Sequence, residues 1–159
     1  MNRWHNYYPD NHAHFCTVSV YNRNYVFSAQ GLNVLYEEWE KARRALSVKI
    51  LAYCVMPNHI HLVLWAESGE SIKKFLHRTL AQTSRRLQPG GGFWKERPRT
   101  IPIYSRAVLI AKVDYLHRNP LRKELVENPE DWEHSSFAQL VLGLPSLPFQ
   151  CDSWDGVLV

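Results

Sequence analysis

Cysteine is scarce in this chain, and the three that occur, Cys16, Cys54 and Cys151, lie far apart. An odd, dispersed set builds neither a disulfide framework nor a CxxC metal site, so buried or idle thiols are expected. Long apolar runs are missing too: none approaches the roughly 20 residues that span a bilayer. The opening, Met1-Asn2-Arg3-Trp4-His5-Asn6-Tyr7-Tyr8, is polar and aromatic and lacks an apolar signal segment. These absences predict a cytoplasmic protein with no membrane association. Internal repeats and low-complexity tracts are also lacking, which argues against a repeat architecture.

Acidic residues are sparse across one long stretch. Between Glu70 and Lys123 stand thirteen Lys or Arg against three Asp or Glu, whereas Glu124 to Val159 has seven acids and no Lys or Arg. The net charge of +4 says less than this distribution. A basic block of that size is the usual footprint of a polyanion, and nucleic acid is the leading class; a solvated basic surface without a ligand is the alternative. With 159 residues, 45% of them apolar, the chain should form one domain with one core. Its boundaries are 1–159, with a core over about 14–119 and an extension over about 120–159.

Hydrophobic spacing predicts the elements. His14 to Tyr21 alternates, with Cys16, Val18 and Val20 on one face and Phe15, Thr17, Ser19 and Tyr21 on the other, which is a strand. Ala29 to Leu46 places Leu32, Leu35, Tyr36, Trp39, Ala42 and Leu46 at helical spacing, with Ser28 as N-cap. Val48 to Val55 is apolar at both parities and reads as a well-buried strand. Met56-Pro57-Asn58 turns the chain into a hairpin with a strand over Ile60 to Trp65. Ser71 to Leu87 is a second amphipathic helix, ended by Pro89-Gly90-Gly91-Gly92. Phe93 to Tyr104 is β-rich, but Pro98 and Pro102 demote it to an edge strand or an irregular loop. Arg106 to Asn119 reads as a third helix stopped by Pro120. Beyond it lies an acidic, proline-containing tail expected to wrap the surface. The order β-α-β-β-α-β plus a helix is the ferredoxin-like α+β arrangement: one antiparallel sheet with two helices on one face. Its second face is left for the extra helix and a ligand.

Three groups of residues could carry chemistry. His59 and His61 are two apart on a strand, so they share a face, while Ile60, Leu62 and Leu64 face the helices. Two neutral imidazoles so placed can share a metal ion, or they are ordinary strand histidines. Tyr115 and Asn119 are four apart on a helix and also share a face. A phenol can act as a nucleophile once deprotonated, and an amide oxygen suits Mg²⁺ or Mn²⁺. A core tyrosine and a helix-end asparagine are the plain alternatives. The third group is cationic: Lys73, Lys74, Arg78, Arg85 and Arg86 on the outer face of the second helix, then Trp94, Lys95, Arg97, Arg99 and Arg106 interleaved with Phe93 and Tyr104. Rings that stack on unpaired bases beside cations that hold phosphates suit single-stranded nucleic acid. An edge strand with solvated charges fits equally well.

Two strings resemble a known family. Tyr53-Cys54-Val55-Met56-Pro57-Asn58-His59-Ile60-His61-Leu62-Val63-Leu64 is similar to the MPNHxH strand of the REP-associated tyrosine transposases and their insertion-sequence relatives. Tyr115-Leu116-His117-Arg118-Asn119-Pro120-Leu121-Arg122 resembles that family's Y-hydrophobic-x-x-N-P-x-R segment, and Glu130-Asp131-Trp132 and Ser135-Ser136-Phe137 its following stretch. The resemblance runs from about Phe15 to about Phe137. It implies an HUH endonuclease fold with His59 and His61 as metal ligands, Asn119 as third ligand and Tyr115 as nucleophile. The metal would be Mg²⁺ or Mn²⁺, and the substrate single-stranded or hairpin DNA. Arg118 and Arg122 complete the expected DNA-contacting set. One departure is the pair of prolines between Arg97 and Tyr104, where a shorter aromatic–basic strand is the family's pattern.

The implied reaction is attack of Tyr115 on a DNA phosphate, giving a 5′-phosphotyrosine and a free 3′-OH, at hairpin-bearing repeats, in a monomer or homodimer. Two other classes compete. A histidine-triad nucleotide hydrolase needs a third histidine where Val63 stands. A non-catalytic or decayed nucleic-acid-binding ferredoxin-like module explains the charge, but not a His pair matched with a helical Tyr-x-x-x-Asn. His117, two residues from Tyr115, falls on a different helix face and is a weak choice for the base.

Overall fold

Strand alternation and helical spacing, read from the sequence, recur in the computed structural model, which describes residues 5–95 and 97–157. The elements are β1 (Ala13–Ser19), α1 (Ala29–Leu46), β2 (Lys49–Val55), β3 (His59–Trp65), α2 (Gly69–Leu87), β4 (Arg99–Ile103) and α3 (Arg106–Arg122). A 3-10 turn at Pro129–Asp131 and the short helix α4 (Phe137–Leu140) follow. Met1 to Trp4 of the polar N-terminal segment lie outside the described residues, as does Glu96 of the aromatic–basic stretch. The sheet order is β2-β3-β1-β4 and every neighbouring pair is antiparallel. β1 and β3 are therefore central, and the Pro-bearing β4 is an edge, where a missing N–H costs least.

The pleat divides the apolar residues between two cores. Cys16 and Val18 of β1 and Ile60, Leu62 and Leu64 of β3 pack with Leu35 and Trp39 of α1 and Ile72, Phe75 and Leu76 of α2. The opposite parity, with Phe15, Val63 and Trp65, packs under Leu109, Val113 and Leu116 of α3. β2 is apolar at both parities because both its faces are covered. Local chemistry sets the helix ends: Ser28 Oγ accepts from Gly31 N–H at 3.0 Å, and Ser105 Oγ accepts from Val108 N–H at 3.2 Å. Gly69 opens α2 where a Cβ would collide with the Tyr8 carbonyl, and its N–H donates to Asp10 Oδ1 at 2.8 Å. All three cysteines are free and buried, as expected.

Two expectations need correction. Pro120 does not stop α3, which runs to Arg122. Proline removes one N–H and crowds the carbonyl four residues back. So near the C-terminus that costs one bond, and the last turn is held by Lys123 N–H to Asn119 O and Leu125 N–H to Pro120 O, both 3.0 Å. The stretch from Phe93 to Tyr104 is the edge strand expected, formed over Arg99–Ile103 with an irregular lead-in. Trp94 bridges Val20 separately, and Thr17 pairs with Arg99, so two extra residues bulge on the β4 side. Asn6 closes part of this edge: its Nδ2 donates to Pro98 O at 2.6 Å, and Thr100 N–H donates to its Oδ1 at 3.0 Å. The second correction concerns the tail, which does more than wrap the surface. Val55 N–H donates to His134 O at 2.8 Å, Ser136 N–H to Tyr53 O at 3.0 Å, and Asp152 N–H to Ile50 O at 2.8 Å. The outer edge of β2 is thereby paired.

Two imidazoles away from the site are buried. His14 is fully buried, with Nδ1 bonded to His12 O at 3.0 Å. His117 Nε2 meets Ser136 Oγ at 2.8 Å. Burial pulls both down to about 4 from the usual 6.5. An unfolded chain takes up protons below 6.5 that the folded chain refuses. This contribution to stability is therefore complete above 6.5 and is lost as pH falls toward 4. The free energy of urea unfolding should drop by on the order of 4 kcal/mol between pH 7 and pH 5, about 2 kcal/mol from each imidazole. An unfolding free energy that stays flat across that interval would show that these imidazoles are not held neutral.

Candidate active site

β3 carries His59 and His61 on the face that α3 crosses. Their ring centroids stand 4.9 Å apart at an interplanar angle of 84°. Each ring is held through Nδ1: His59 by Asn58 Oδ1 at 2.9 Å, and His61 by Thr17 Oγ1 of β1 at 3.0 Å. Asn58 is itself anchored, because its Nδ2 donates to Arg23 O at 2.7 Å. Holding Nδ1 leaves Nε2 as the outward nitrogen of each ring, and second partners of this kind orient a ligating histidine. Burial lowers the proton affinity of both rings. His61 is pulled down to about 3, first by burial and then by His59; His59 is lowered by burial and then by the Lys123 charge. Both are neutral at pH 7, the state that binds a cation.

α3 brings the remaining groups. Asn119 is buried, and its amide reaches His59 Nε2 at 3.2 Å. The amide's nitrogen and oxygen exchange places by a half-turn. The same position can therefore present Oδ1 as a hard ligand beside two imidazoles. Among the described residues no cluster of three His, Cys, Asp or Glu side chains occurs. A metal here would rest on His59, His61 and the neutral oxygen of Asn119, and those donors fit a divalent cation. Tyr115, one turn before Asn119, is 39% exposed and therefore reachable by a substrate. Its ring lies 5.9 Å from His61 and 5.9 Å from Phe15. Phe15 stacks on His61 at 5.4 Å, and the Arg122 guanidinium lies 4.6 Å above the Tyr115 ring. His117 points elsewhere, to Ser136 and against Phe137.

The cations expected from sequence divide into groups. Lys73, Lys74, Arg78, Arg97 and Arg99 line one open groove of about 1740 Å³ between α2 and the segment leading into β4. Arg99 also stands opposite Thr17, which stands opposite His61, so the three share a row and a face. Arg85 and Lys95 are exposed. Arg86 is engaged by Glu37 at 2.8 Å and Glu38 at 2.7 Å, Arg118 by Asp114 at 2.9 Å, and Arg106 lies over the Trp154 ring at 5.5 Å. Trp94 is half-buried, its Nε1 donating to Leu80 O and Thr83 Oγ1, and Phe93 is part of the core. Sequence reasoning missed Thr17, Asn58, Phe15 and Lys112, whose Nζ lies 5.1 Å from the Phe15 ring centre. Reading back one turn from Tyr115 would have found Lys112, and Asn58 stands beside His59 in the chain; Phe15 and Thr17 needed the strand register.

Known proteins share this architecture. A solved structure of a REP-associated tyrosine transposase bound to a REP hairpin superposes with a TM-score of 0.82, at 22% identity, covering 100% of this chain and 98% of that one. The REP-associated tyrosine transposase of Escherichia coli (strain K12) is 26% identical over 146 residues, spanning 86% of this chain and 83% of that protein. The family model described as IS200-like transposase matches residues 8–107, more than half of the chain; this span includes His59 and His61 and ends before Tyr115. The chain therefore belongs to the IS200-like transposases, which makes it a DNA-binding, DNA-processing enzyme.

Proposed function

We propose that the chain is an endonuclease and strand transferase for single-stranded DNA, acting at hairpin-bearing repeats with Tyr115 as nucleophile. The observation that carries this reading is the meeting of Tyr115, Asn119, His59 and His61 within one chain. A binding module of the same topology has use for a basic groove, but none for that cluster. The hairpin-bound neighbour and the transposase relative support a hairpin-bearing substrate.

The proposed reaction is in-line attack of the Tyr115 oxygen on a DNA phosphorus, leaving a 5′-phosphotyrosine and a free 3′-OH. Tyr115 is pre-positioned by Phe15 and Arg122, which removes much of the entropy of bringing phenol and phosphate together. Mg²⁺ or Mn²⁺ held by His59, His61 and Asn119 would supply positive charge to the phosphate oxygens. Thr17 and Asn58 keep the two imidazoles aimed. Phenolate is a fair leaving group, so attack by a second 3′-OH on the phosphotyrosine would rejoin strands with the phosphodiester energy kept. Lys73, Lys74, Arg78 and Arg97 would hold the backbone in the groove. Arg99, in the row of Thr17 and His61, would lead it round the β4 edge.

An oligonucleotide with a hairpin and an unpaired flank, given Mg²⁺ or Mn²⁺, should form a protein–DNA adduct that survives denaturation. Tyr115→Phe should bind the same DNA and form no adduct, and peptide mass spectrometry should place the nucleotide on Tyr115. An adduct in the Phe variant would remove Tyr115 from its role. His59→Ala and His61→Ala should abolish cleavage while preserving DNA binding. Full activity of both with chelator present would eliminate the proposed metal centre. Thr17→Val should weaken Mn²⁺ binding about tenfold to a hundredfold by direct titration, since it frees the His61 ring to turn. Unchanged Mn²⁺ affinity would show that Thr17 does not orient the ligand. Binding should also fall steeply with salt: four phosphate contacts on single-stranded DNA give a log–log slope near about −3. A salt-insensitive protein, or one preferring linear duplex, would contradict the groove assignment.

A further inference from the structure

α3 presents more than a tyrosine and an amide. Lys112, Tyr115, Asn119 and Arg122 follow one another at spacings of three, four and three, so they form one stripe down the helix. Asn119 marks the end that meets His59, at 3.2 Å. Lys112 marks the other end, about 10 Å away along the helix axis at 1.5 Å per residue. Tyr115 stands between them.

The surroundings of Lys112 are unusual for a lysine. Its stem is half-buried, and its ammonium rests 5.1 Å from the ring centre of Phe15. Phe15 in turn stacks on His61 and meets the edge of Tyr115. Among the described residues Lys112 makes no ion pair, whereas Lys41, Arg43, Arg44, Lys73, Arg86 and Arg118 do. Thr17, Asn58, His59, His61 and Asn119 bring no formal charge to the cluster, and the other cations near it, Arg122 over the Tyr115 ring and Lys123 beside His59, lie toward the Asn119 end. An unpaired ammonium at the rim of a neutral, partly buried cluster has one kind of partner that suits it, an incoming anion. Arg122 does not fill this place, because it follows Asn119 at the opposite end of the stripe, with its guanidinium over the Tyr115 ring at 4.6 Å.

We propose that Lys112 is a catalytic residue that donates a hydrogen bond to a non-bridging oxygen of the scissile phosphate, on the side of Tyr115 away from the His59–His61–Asn119 end. This rests on the strand-transfer reading above. In the step, the Tyr115 Oη–P bond forms and the P–O3′ bond breaks. The phenol proton leaves to solvent and the 3′ oxygen takes one up. Lys112 keeps its protons throughout and balances charge on the oxygen that the opposite end does not reach. A charge-assisted bond that tightens in the transition state raises the rate more than the affinity.

Two measurements test this. The first is single-turnover adduct formation at saturating hairpin oligonucleotide with unpaired flanks. Lys112→Met should slow it about tenfold to a hundredfold, and Lys112→Arg should recover most of the loss. Equal rates in wild type and Lys112→Met would overturn the proposal while leaving the Tyr115 reading intact. The second does not depend on cleavage. Single methylphosphonates, which remove one backbone charge each, are placed in turn along the flank, and binding is measured in Tyr115→Phe and in Tyr115→Phe/Lys112→Met. One position should weaken the first protein several-fold and leave the second unaffected. Identical interference patterns would overturn the proposal. Lost interference at one phosphate, in a protein whose wild type forms no adduct, would uphold the Lys112 contact and sink the strand-transfer reading alone.

Discussion

Side chains two apart on β3 face the same way, and β3 is a central strand that contributes to both cores. Ile60, Leu62 and Leu64 are sunk in the core under α1 and α2. Each large aliphatic side chain so buried is worth about 1.5–3 kcal/mol. A slip of one residue would expel all three and press His59 and His61 into an apolar layer without partners. That difference outweighs any preference of the imidazoles themselves. The orientation of the two histidines is thus dictated by their neighbours in sequence, and the site inherits its geometry from the core behind it.

The second consequence concerns charge. The face that α3 crosses brings together imidazole, amide, phenol and hydroxyl groups, with no carboxylate among them. Carboxylates would hold a divalent cation more tightly, but they would repel a phosphodiester at the same place. Under the proposed reading, a neutral donor set would bind the cation less strongly and leave its charge to the DNA. Burial supports this arrangement, since it keeps His59 and His61 deprotonated at pH 7. Thr17 and Asn58 then matter more than their size suggests, because weak neutral ligands gain most from being held in place.

Much of this was legible in the sequence, for reasons that differ by element. The alternation of β1 and the helical spacing of α1 and α2 follow from burying one face, which is a local pattern. The His59–His61 and Tyr115–Asn119 pairs follow from the same periodicities. What was illegible depends on residues far apart in the chain. Arg86 looked like a free surface cation, yet its partners Glu37 and Glu38 lie on α1. Trp94 looked like a stacking platform, yet its indole nitrogen is bonded to α2. Pro120 looked like a stop, but the rule it follows concerns one hydrogen bond and cannot say how the next turn is held. The pairing of the tail with β2 carries no periodic signal, since it uses single bonds spread over His134, Ser136 and Asp152.

The edges of the sheet complete the argument, because the basic groove and the histidines lie on opposite faces. On the β2 side the tail has taken up the outer edge through His134, Ser136 and Asp152. The β4 side is different. Pro102 cannot donate to a further strand, Asn6 plugs two backbone groups, and the bulge before Arg99 breaks the ladder. A polymer could not add there as a β-strand, but it can pass over the edge. The residue at that crossing is Arg99, which lines the groove and also stands in the row of Thr17 and His61. The two prolines that seemed to disrupt the strand therefore leave a short, closed edge of the kind a flexible phosphate backbone can cross. Under the proposed reading, a strand leaving the groove would arrive at Tyr115 from the Arg99 side, with its phosphates already facing cations.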